Sequence, residues 1–136
     1  MDLVDRCVED LKRHEGFSSF LYRDTAGRWT IGFGRCLDTR GITVQEAAIW
    51  LRSDVLEAVE AVGRFDFFDG LTEARKAVFV NMAFQLGMGG LLKFEKMIAA
   101  VSRGDYETAA NEMLSSKWAK QAPNRAAELS QWMRNG

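Results

Sequence analysis

Proline, cysteine and histidine are scarce in this chain of 136 residues, which has one Pro, two Cys and one His. A single proline, together with many Ala, Leu, Glu and Lys residues, favours a mostly helical fold. Two cysteines are too few for a disulfide framework, and with one histidine they do not supply a credible zinc site. We therefore expect reduced thiols, a cytoplasmic chain and no metal.

Long apolar runs and a strong net charge are also missing. No uninterrupted apolar stretch approaches membrane-spanning length, and the first residues carry charge every few positions, unlike a secretory signal. The formal net charge of −1 argues against nucleic acid as an obligatory partner, because phosphate binding needs clustered Lys and Arg. We expect no nucleic-acid partner and no stable membrane insertion. The basic excess in residues 71–136 could face an anionic polymer.

The length of the chain and its composition, 47% hydrophobic and 27% charged residues, predict one globular domain over residues 1–136. Apolar residues at helical spacing predict an N-terminal helix over 2–15, which Gly16 can end. The segment 16–42 contains an alternating run from Trp29 to Gly34 and is typical of a small hairpin or sheet lobe. A capping box at Thr43 predicts a connecting helix over 43–63.

The remainder, residues 64–136, is expected to form a helical lobe together with the N-terminal helix over 2–15. Its helices are predicted near 72–86, 91–103, 105–115 and 123–134, with boundaries at Gly87, Gly104, Asp105 and Pro123. The sequence thus predicts an α+β, mostly helical fold with a small N-terminal sheet lobe and a C-terminal helical lobe.

Glu15 is an unusual carboxylate, because it follows Leu11 by four residues and so continues the apolar stripe of the first helix. Partial burial and the negative end of the helix dipole would both favour its protonated form, as a general acid requires. The alternative is a glutamate that reaches water or pairs with an arginine.

Asp24 and Thr30 flank the predicted hairpin turn. If residue 25 pairs with residue 29, Asp24 lies directly opposite Thr30 on one face of the sheet. A carboxylate and a hydroxyl at that spot could bind and polarise a water molecule. The other face is expected to turn its apolar side chains toward a core: Trp29, Ile31 and Phe33. The alternative is a turn aspartate beside a β-branched strand threonine.

Three separated motifs then resemble one family in the right order. They are Glu15-Gly16 with Tyr22–Gly27 and Trp29–Gly34, next Asn81–Gly87, and finally Trp118 with Pro123-Asn124-Arg125. Together they resemble the phage-type lysozymes, the bacteriophage endolysin muramidases, over nearly the whole chain. Three ordered motifs are far more specific than a bare Glu/Asp/Thr spacing.

The resemblance implies a lysozyme-like fold with the active-site cleft between the two lobes. It also implies cleavage of the β-1,4 bond between N-acetylmuramic acid and N-acetylglucosamine in bacterial peptidoglycan, without a cofactor. Glu15 would be the general acid, and Asp24 with Thr30 would direct water onto the anomeric carbon. An inverting outcome needs two carboxyl groups roughly 6.5 to 9.5 Å apart.

Further roles follow from the same resemblance. Cys36, Phe84 and Gln85 would contact substrate, and Arg125 would support the site as the partner of Glu15. The alternatives are core packing for Phe84 and a solvated surface charge for Arg125.

One departure from the family concerns the residue after the Gly-x-Gly strand. Many relatives have histidine where this chain has Arg35. We expect Arg35 to pair with Asp54 on the following helix, and so to fasten the small lobe.

The biological setting that these features favour is a monomeric phage or prophage endolysin. It would be made in the host cytoplasm, act on peptidoglycan during host cell lysis, and need a holin for release because it lacks a signal. Two other classes remain open: a catalytically weak peptidoglycan-binding module, which would bind sacculi without releasing reducing ends, and a helical adaptor, which would not bind them. A tail-associated muramidase is a further setting.

Overall fold

The computed structural model describes residues 2–136 and has an α+β, mostly helical architecture, which confirms the predicted fold class. The chain divides into two compact units, an N-terminal unit that ends at Ile49 and a C-terminal unit that begins at Trp50. The first elements are α1 Leu3–Glu15, β1 Ser18–Arg23, β2 Trp29–Gly32, β3 Arg35–Cys36, α2 Leu37–Arg40 and α3 Val44–Val62, which crosses the division. A 3₁₀ turn at Phe68–Gly70 is followed by α4 Glu73–Leu92, α5 Glu95–Ser102, α6 Tyr106–Leu114, α7 Lys117–Gln121 and α8 Pro123–Asn135.

Helix α1 has the bounds that its spacing predicted, to within one residue. The Asp2 side chain caps it by accepting a hydrogen bond from the Asp5 N–H at 2.8 Å. Gly16 ends it at φ +70°, with its N–H donating to the Lys12 carbonyl. No residue of Leu3–Glu15 is buried, and Glu15 itself is exposed, which contradicts the expected partial burial of its side chain.

The three strands form an antiparallel sheet in the order β1-β2-β3. Tyr22 lies opposite Thr30, so the predicted register, with Asp24 opposite Thr30, is wrong by two residues. The cause is the turn over residues 24–28, in which the Asp24 N–H donates to the Arg28 carbonyl at 2.9 Å. Residue 24 therefore pairs with residue 28, whereas the prediction paired residue 25 with residue 29.

The run from Trp29 to Gly34 is not a single strand. Strand β2 ends at Gly32, and Phe33 with Gly34 forms the turn into β3. Both glycines have positive φ, at +68° and +72°, a conformation that glycine adopts at little cost and that interrupts the strand. Trp29 and Phe33, which were expected in a core, are 39% and 49% exposed.

Helix α3 begins with the capping box that the sequence predicted. The Glu46 N–H donates to Thr43 Oγ1 at 3.1 Å, and the Thr43 N–H donates to Glu46 Oε1 at 2.9 Å. Before it, the short helix α2 ends at Gly41; this helix was not predicted. The carboxylate of Glu46 is therefore held at the first turn of α3.

The C-terminal unit contains the core of the described residues. Its largest fully buried apolar side chains are Val62, Val78, Phe79, Met82, Leu91, Met97, Met113, Leu129 and Met133. The predicted helix starts at Asp105 and Pro123 are confirmed: Asp105 accepts from the Thr108 N–H at 3.1 Å, and Pro123 occupies the first helical position of α8. Helix α7, with its buried Trp118, was not predicted.

Helix α4 changes direction where the sequence predicted an end. Gly87 has φ +72° and ψ 164°, outside helical geometry, and a further helical turn continues to Leu92. The helix predicted over 91–103 is consequently divided at Lys93 and Phe94. Among residues 2–136, no single helix has both the length and the hydropathy to cross a membrane. Helices α4 and α5 reach those values only as a pair, with a 100° bend at their junction.

Candidate active site

Glu15 is the last residue of α1, and its exposed carboxylate lies against the backbone of Gly34. A Cβ atom placed on Gly34 would be 2.6 Å from Glu15 Oε2 and 2.8 Å from Glu15 Cδ, closer than any real side chain can approach. Only glycine leaves this space free, and only glycine accepts the local φ of +72° without strain. The turn between β2 and β3 therefore forms one wall for the Glu15 carboxylate.

Asp24 shapes the turn between β1 and β2 with its own carboxylate. Its Oδ1 atom accepts hydrogen bonds from the Ala26 and Arg28 N–H groups, each at 2.9 Å. The turn-aspartate role that the sequence left open is thus present. In the described part of the chain these side-chain bonds both involve Oδ1, which leaves Oδ2 able to accept a proton from another group.

Thr30 is 3% exposed, and its Oγ1 donates a hydrogen bond to the Arg28 carbonyl at 3.0 Å. The same carbonyl accepts the Asp24 N–H, and the Arg28 N–H donates to Asp24 Oδ1. Thr30 and Asp24 are therefore not a facing pair, as predicted, but are joined through the backbone of Arg28. With its proton donated, the Thr30 hydroxyl can act toward a further group only as an acceptor.

Cys36 is half-buried and lies opposite Thr30 on β3. A hydrogen bond from the Thr39 hydroxyl, followed by one from the Thr39 N–H, lowers the pKa of the Cys36 thiol, although desolvation opposes the shift. The thiol therefore has a polar setting beside the strand that carries Thr30. In residues 2–136, no three His, Cys, Asp or Glu side chains come together as metal ligands.

Arg35 pairs with Glu46, and the expected partner Asp54 is wrong. Its Nη1 and Nη2 atoms contact the two Glu46 carboxylate oxygens at 2.5 and 2.9 Å, and its Nε donates to the Gly41 carbonyl at 3.0 Å. The Thr43 N–H is the largest cause of a lowered Glu46 pKa, and the Arg35 charge adds to it. The two carboxylate oxygens of Glu46 accept hydrogen bonds from two nitrogens of the planar guanidinium, a bidentate geometry. The capping box holds the Glu46 carboxylate in place for this contact.

Gln85 and Trp118 are joined in the C-terminal unit. The Trp118 indole, which is 4% exposed, donates its Nε1–H to Gln85 Oε1 at 2.8 Å. Gln85 itself is exposed, so its amide nitrogen can donate to another molecule. The bond to a buried ring fixes the orientation of an exposed amide.

Phe84 and Arg125 line one cavity of about 780 Å³ in the C-terminal unit. Its other walls come mainly from apolar residues of α3 and α4 with Trp132 of α8. Phe84 is 48% exposed, so the core-packing alternative does not describe it. A role for Arg125 as the partner of Glu15 stays a prediction.

Sequence reasoning missed two contributors to this geometry. The Arg28 backbone links Asp24 to Thr30, and no side-chain pattern signals a backbone role. The alternation from Trp29 to Gly34 indicated a strand, although the Gly-x-Gly spacing could have indicated a turn because both glycines can adopt positive φ.

Comparison with known proteins finds lysozymes and endolysins among the relatives of this chain. The probable T4-type lysozyme 1 of Dictyostelium discoideum is 25% identical over 154 aligned positions, which cover 91% of this chain and 91% of that protein. An endolysin of Acyrthosiphon pisum secondary endosymbiont phage 1 is 29% identical over 127 positions, with 91% and 84% covered. The pre-baseplate central spike protein Gp5 of Enterobacteria phage T4 is 26% identical over 152 positions, which cover 90% of this chain and 26% of Gp5. This chain thus spans about a quarter of Gp5.

The family model described as phage lysozyme matches residues 12–134. This range includes Glu15, Asp24 and Thr30 and confirms the resemblance that the three sequence motifs carried. The chain therefore belongs to the phage lysozyme family, a family of lysozyme-type glycosidases.

Proposed function

We propose that this protein is an N-acetylmuramidase that cleaves the β-1,4 bond between N-acetylmuramic acid and N-acetylglucosamine in bacterial peptidoglycan. The observation that carries the proposal is the exposed Glu15 carboxylate, which is seated against Gly34 at the end of α1. A carboxyl group at the end of a rigid helix, with a glycine beside it, can reach a bulky glycosidic oxygen. Family membership supports the same activity.

In the proposed reaction Glu15 donates its proton to the glycosidic oxygen as the bond from that oxygen to the anomeric carbon breaks. A water molecule attacks the anomeric carbon and releases a proton to Asp24, through the Oδ2 atom that the turn does not use. Thr30 orients this water by accepting a hydrogen bond, since its own proton is donated to Arg28. The reaction then yields a new reducing end and needs no cofactor.

Three residues are proposed as substrate contacts. Gln85 would donate its amide N–H to a carbonyl of the substrate, because its oxygen is held by Trp118. Phe84 offers an exposed ring for the apolar face of a sugar, and Cys36 lies on the strand next to Thr30. Arg125 is proposed as a supporting charge.

The proposed setting is a phage endolysin that acts as a monomer during host cell lysis and reaches the wall through a holin. Similarity to endolysins supports it. The similarity to part of Gp5, a central spike protein, favours a second candidate setting, in which the domain is associated with a phage tail.

Digestion of purified sacculi tests the activity. The products are reduced with borohydride and analysed by mass spectrometry, so that each new reducing end is identified as a reduced muramic acid or a reduced glucosamine. We expect reduced muramic acid from the wild type and almost none from Glu15→Gln, which keeps the side-chain shape but cannot donate the proton. Reduced glucosamine would assign the other glycosidic bond, and sacculus binding without new ends would indicate a binding module.

A further inference from the structure

The turn that contains Gly34, which contacts the Glu15 carboxylate, is held by few hydrogen bonds between strands β2 and β3. Strand β3 contains two residues, Arg35 and Cys36, and its register with β2 has two pairs. A two-residue strand is below the usual strand length and adds few ladder hydrogen bonds. Side-chain contacts of its neighbours therefore add to the support of Gly34, and Phe33 before it packs against Phe17.

The side chain of Arg35 supplies such contacts. Its guanidinium binds both carboxylate oxygens of Glu46 and also donates to the Gly41 carbonyl. Glu46 is fixed in turn by its bond from the Thr43 N–H at the start of α3. Both members of the pair are partly shielded, with side-chain exposures of 26% and 34%.

We propose that Arg35 is a positioning residue, which holds the Gly34 turn in place through Glu46 and thereby sets the position of the Glu15 carboxylate. The inference rests on the proposed function of Glu15 as the general acid. Arg35 follows Gly34 directly in the chain. If its guanidinium loses the bonds to Glu46, the turn that contacts Glu15 can change position. A proton donor displaced by a fraction of an ångström slows the chemical step far more than it weakens substrate binding.

The test uses Arg35→Gln, Glu46→Gln and the double variant. Glutamine at position 46 keeps an oxygen for the Thr43 N–H, so the capping box is retained while the charged partner is removed. The matched control is Arg134→Gln on α8, which removes an arginine bonded to Glu107 and Asn111. All variants are assayed on soluble peptidoglycan fragments at a temperature where thermal unfolding shows each one to be folded.

We expect each single variant to lower kcat about tenfold while KM stays within about twofold. The double variant should lose no more than the worse single variant, because the two residues act as one unit. The control should keep the wild-type kcat. Wild-type kcat in folded Arg35→Gln would overturn the inference, as would a loss in Arg35→Gln that Glu46→Gln does not share.

NMR provides a readout that does not depend on activity. The Gly34 amide signal and the Glu15 side-chain carboxyl signal should both shift in Arg35→Gln and Glu46→Gln and stay unchanged in Arg134→Gln. Unchanged signals in the first two variants contradict the positioning role even if kcat falls. If the wild type itself releases no reducing ends, the muramidase proposal fails, and these signals alone then decide whether Arg35 holds the turn.

Discussion

The Glu15 carboxylate occupies the space that a side chain on Gly34 would fill. Gly34→Ala should therefore displace Glu15 and lower activity by about two orders of magnitude, as expected for a misplaced catalytic group. It should also reduce the free energy of unfolding by about 1–2 kcal/mol, because alanine disfavours positive φ. Activity assays and chemical denaturation measure the two effects.

Gly104→Ala is the matched control, since Gly104 has φ +78° and nothing within 4 Å of the added Cβ. Gly104→Ala should reduce the free energy of unfolding by a similar amount, because its φ is also positive, and should keep full activity. Equal loss of activity in both variants would refute a specific contact between Gly34 and Glu15.

Asp24→Asn should leave the turn intact, because an asparagine oxygen can accept the Ala26 and Arg28 N–H groups as Asp24 does. It should still reduce kcat about 10²–10⁴-fold, since an amide cannot take a proton from water. Asp24→Ala should add a loss of stability of about 1 kcal/mol or more from the missing turn bonds. Wild-type turnover in Asp24→Asn would show that Asp24 serves only the turn.

Thr30→Val should remove the hydrogen bond to the Arg28 carbonyl and destabilise the protein by about 0.5–1.5 kcal/mol, the usual contribution of one hydrogen bond, because this carbonyl still accepts the Asp24 N–H. Thr30→Ser, which keeps the hydroxyl, is the control. Because Arg28 joins Thr30 to Asp24, the rate losses of Thr30→Val and Asp24→Asn should be non-additive. A double variant whose loss equals the product of the single losses would contradict a shared site.

The Arg35–Glu46 pair should stabilise the fold equally at pH 6 and pH 8, because arginine stays protonated throughout this range. The folded-state pKa of Glu46 lies below its ordinary value of 4.5. Its contribution to the free energy of unfolding is therefore complete above the unfolded-state value and is lost as pH falls through the lower folded-state value.

The Glu46→Gln variant has no titrating carboxyl group at position 46. Its difference in Tm from the wild type should therefore decrease only at acidic pH. Thermal unfolding at about pH 3, 6 and 8 measures this difference. A difference that declines between pH 6 and pH 8 would mean that another titrating group is involved.

Trp118→Phe should raise KM with a smaller effect on kcat, because Gln85 loses the donor that fixes its amide. Gln85→Ala should add little to this effect, since the two residues share one bond. Initial rates over a range of fragment concentrations separate the two parameters. Fully additive effects on KM would mean that Trp118 acts by packing alone.

Local chemistry allowed much of this protein to be predicted. Gly16 ends α1, the Thr43 and Glu46 capping box begins α3, and Pro123 opens α8, because each boundary depends on residues within one helical turn. The motifs around Glu15, Asp24 and Thr30 likewise indicated the phage lysozyme family, which the family model confirms.

Strand register and side-chain partners had to come from the tertiary structure. The hairpin register followed from how Asp24 closes its turn, and a change of two residues in such a turn moves every cross-strand pair while leaving the apolar pattern unchanged. The sequence places two carboxylates, Glu46 and Asp54, on the helix that follows Arg35, and the one already held by a capping box is its partner. The contact of Glu15 with Gly34 depends on a missing Cβ and a positive φ, which have no hydrophobic signature, so only the folded structure shows where the carboxylate lies.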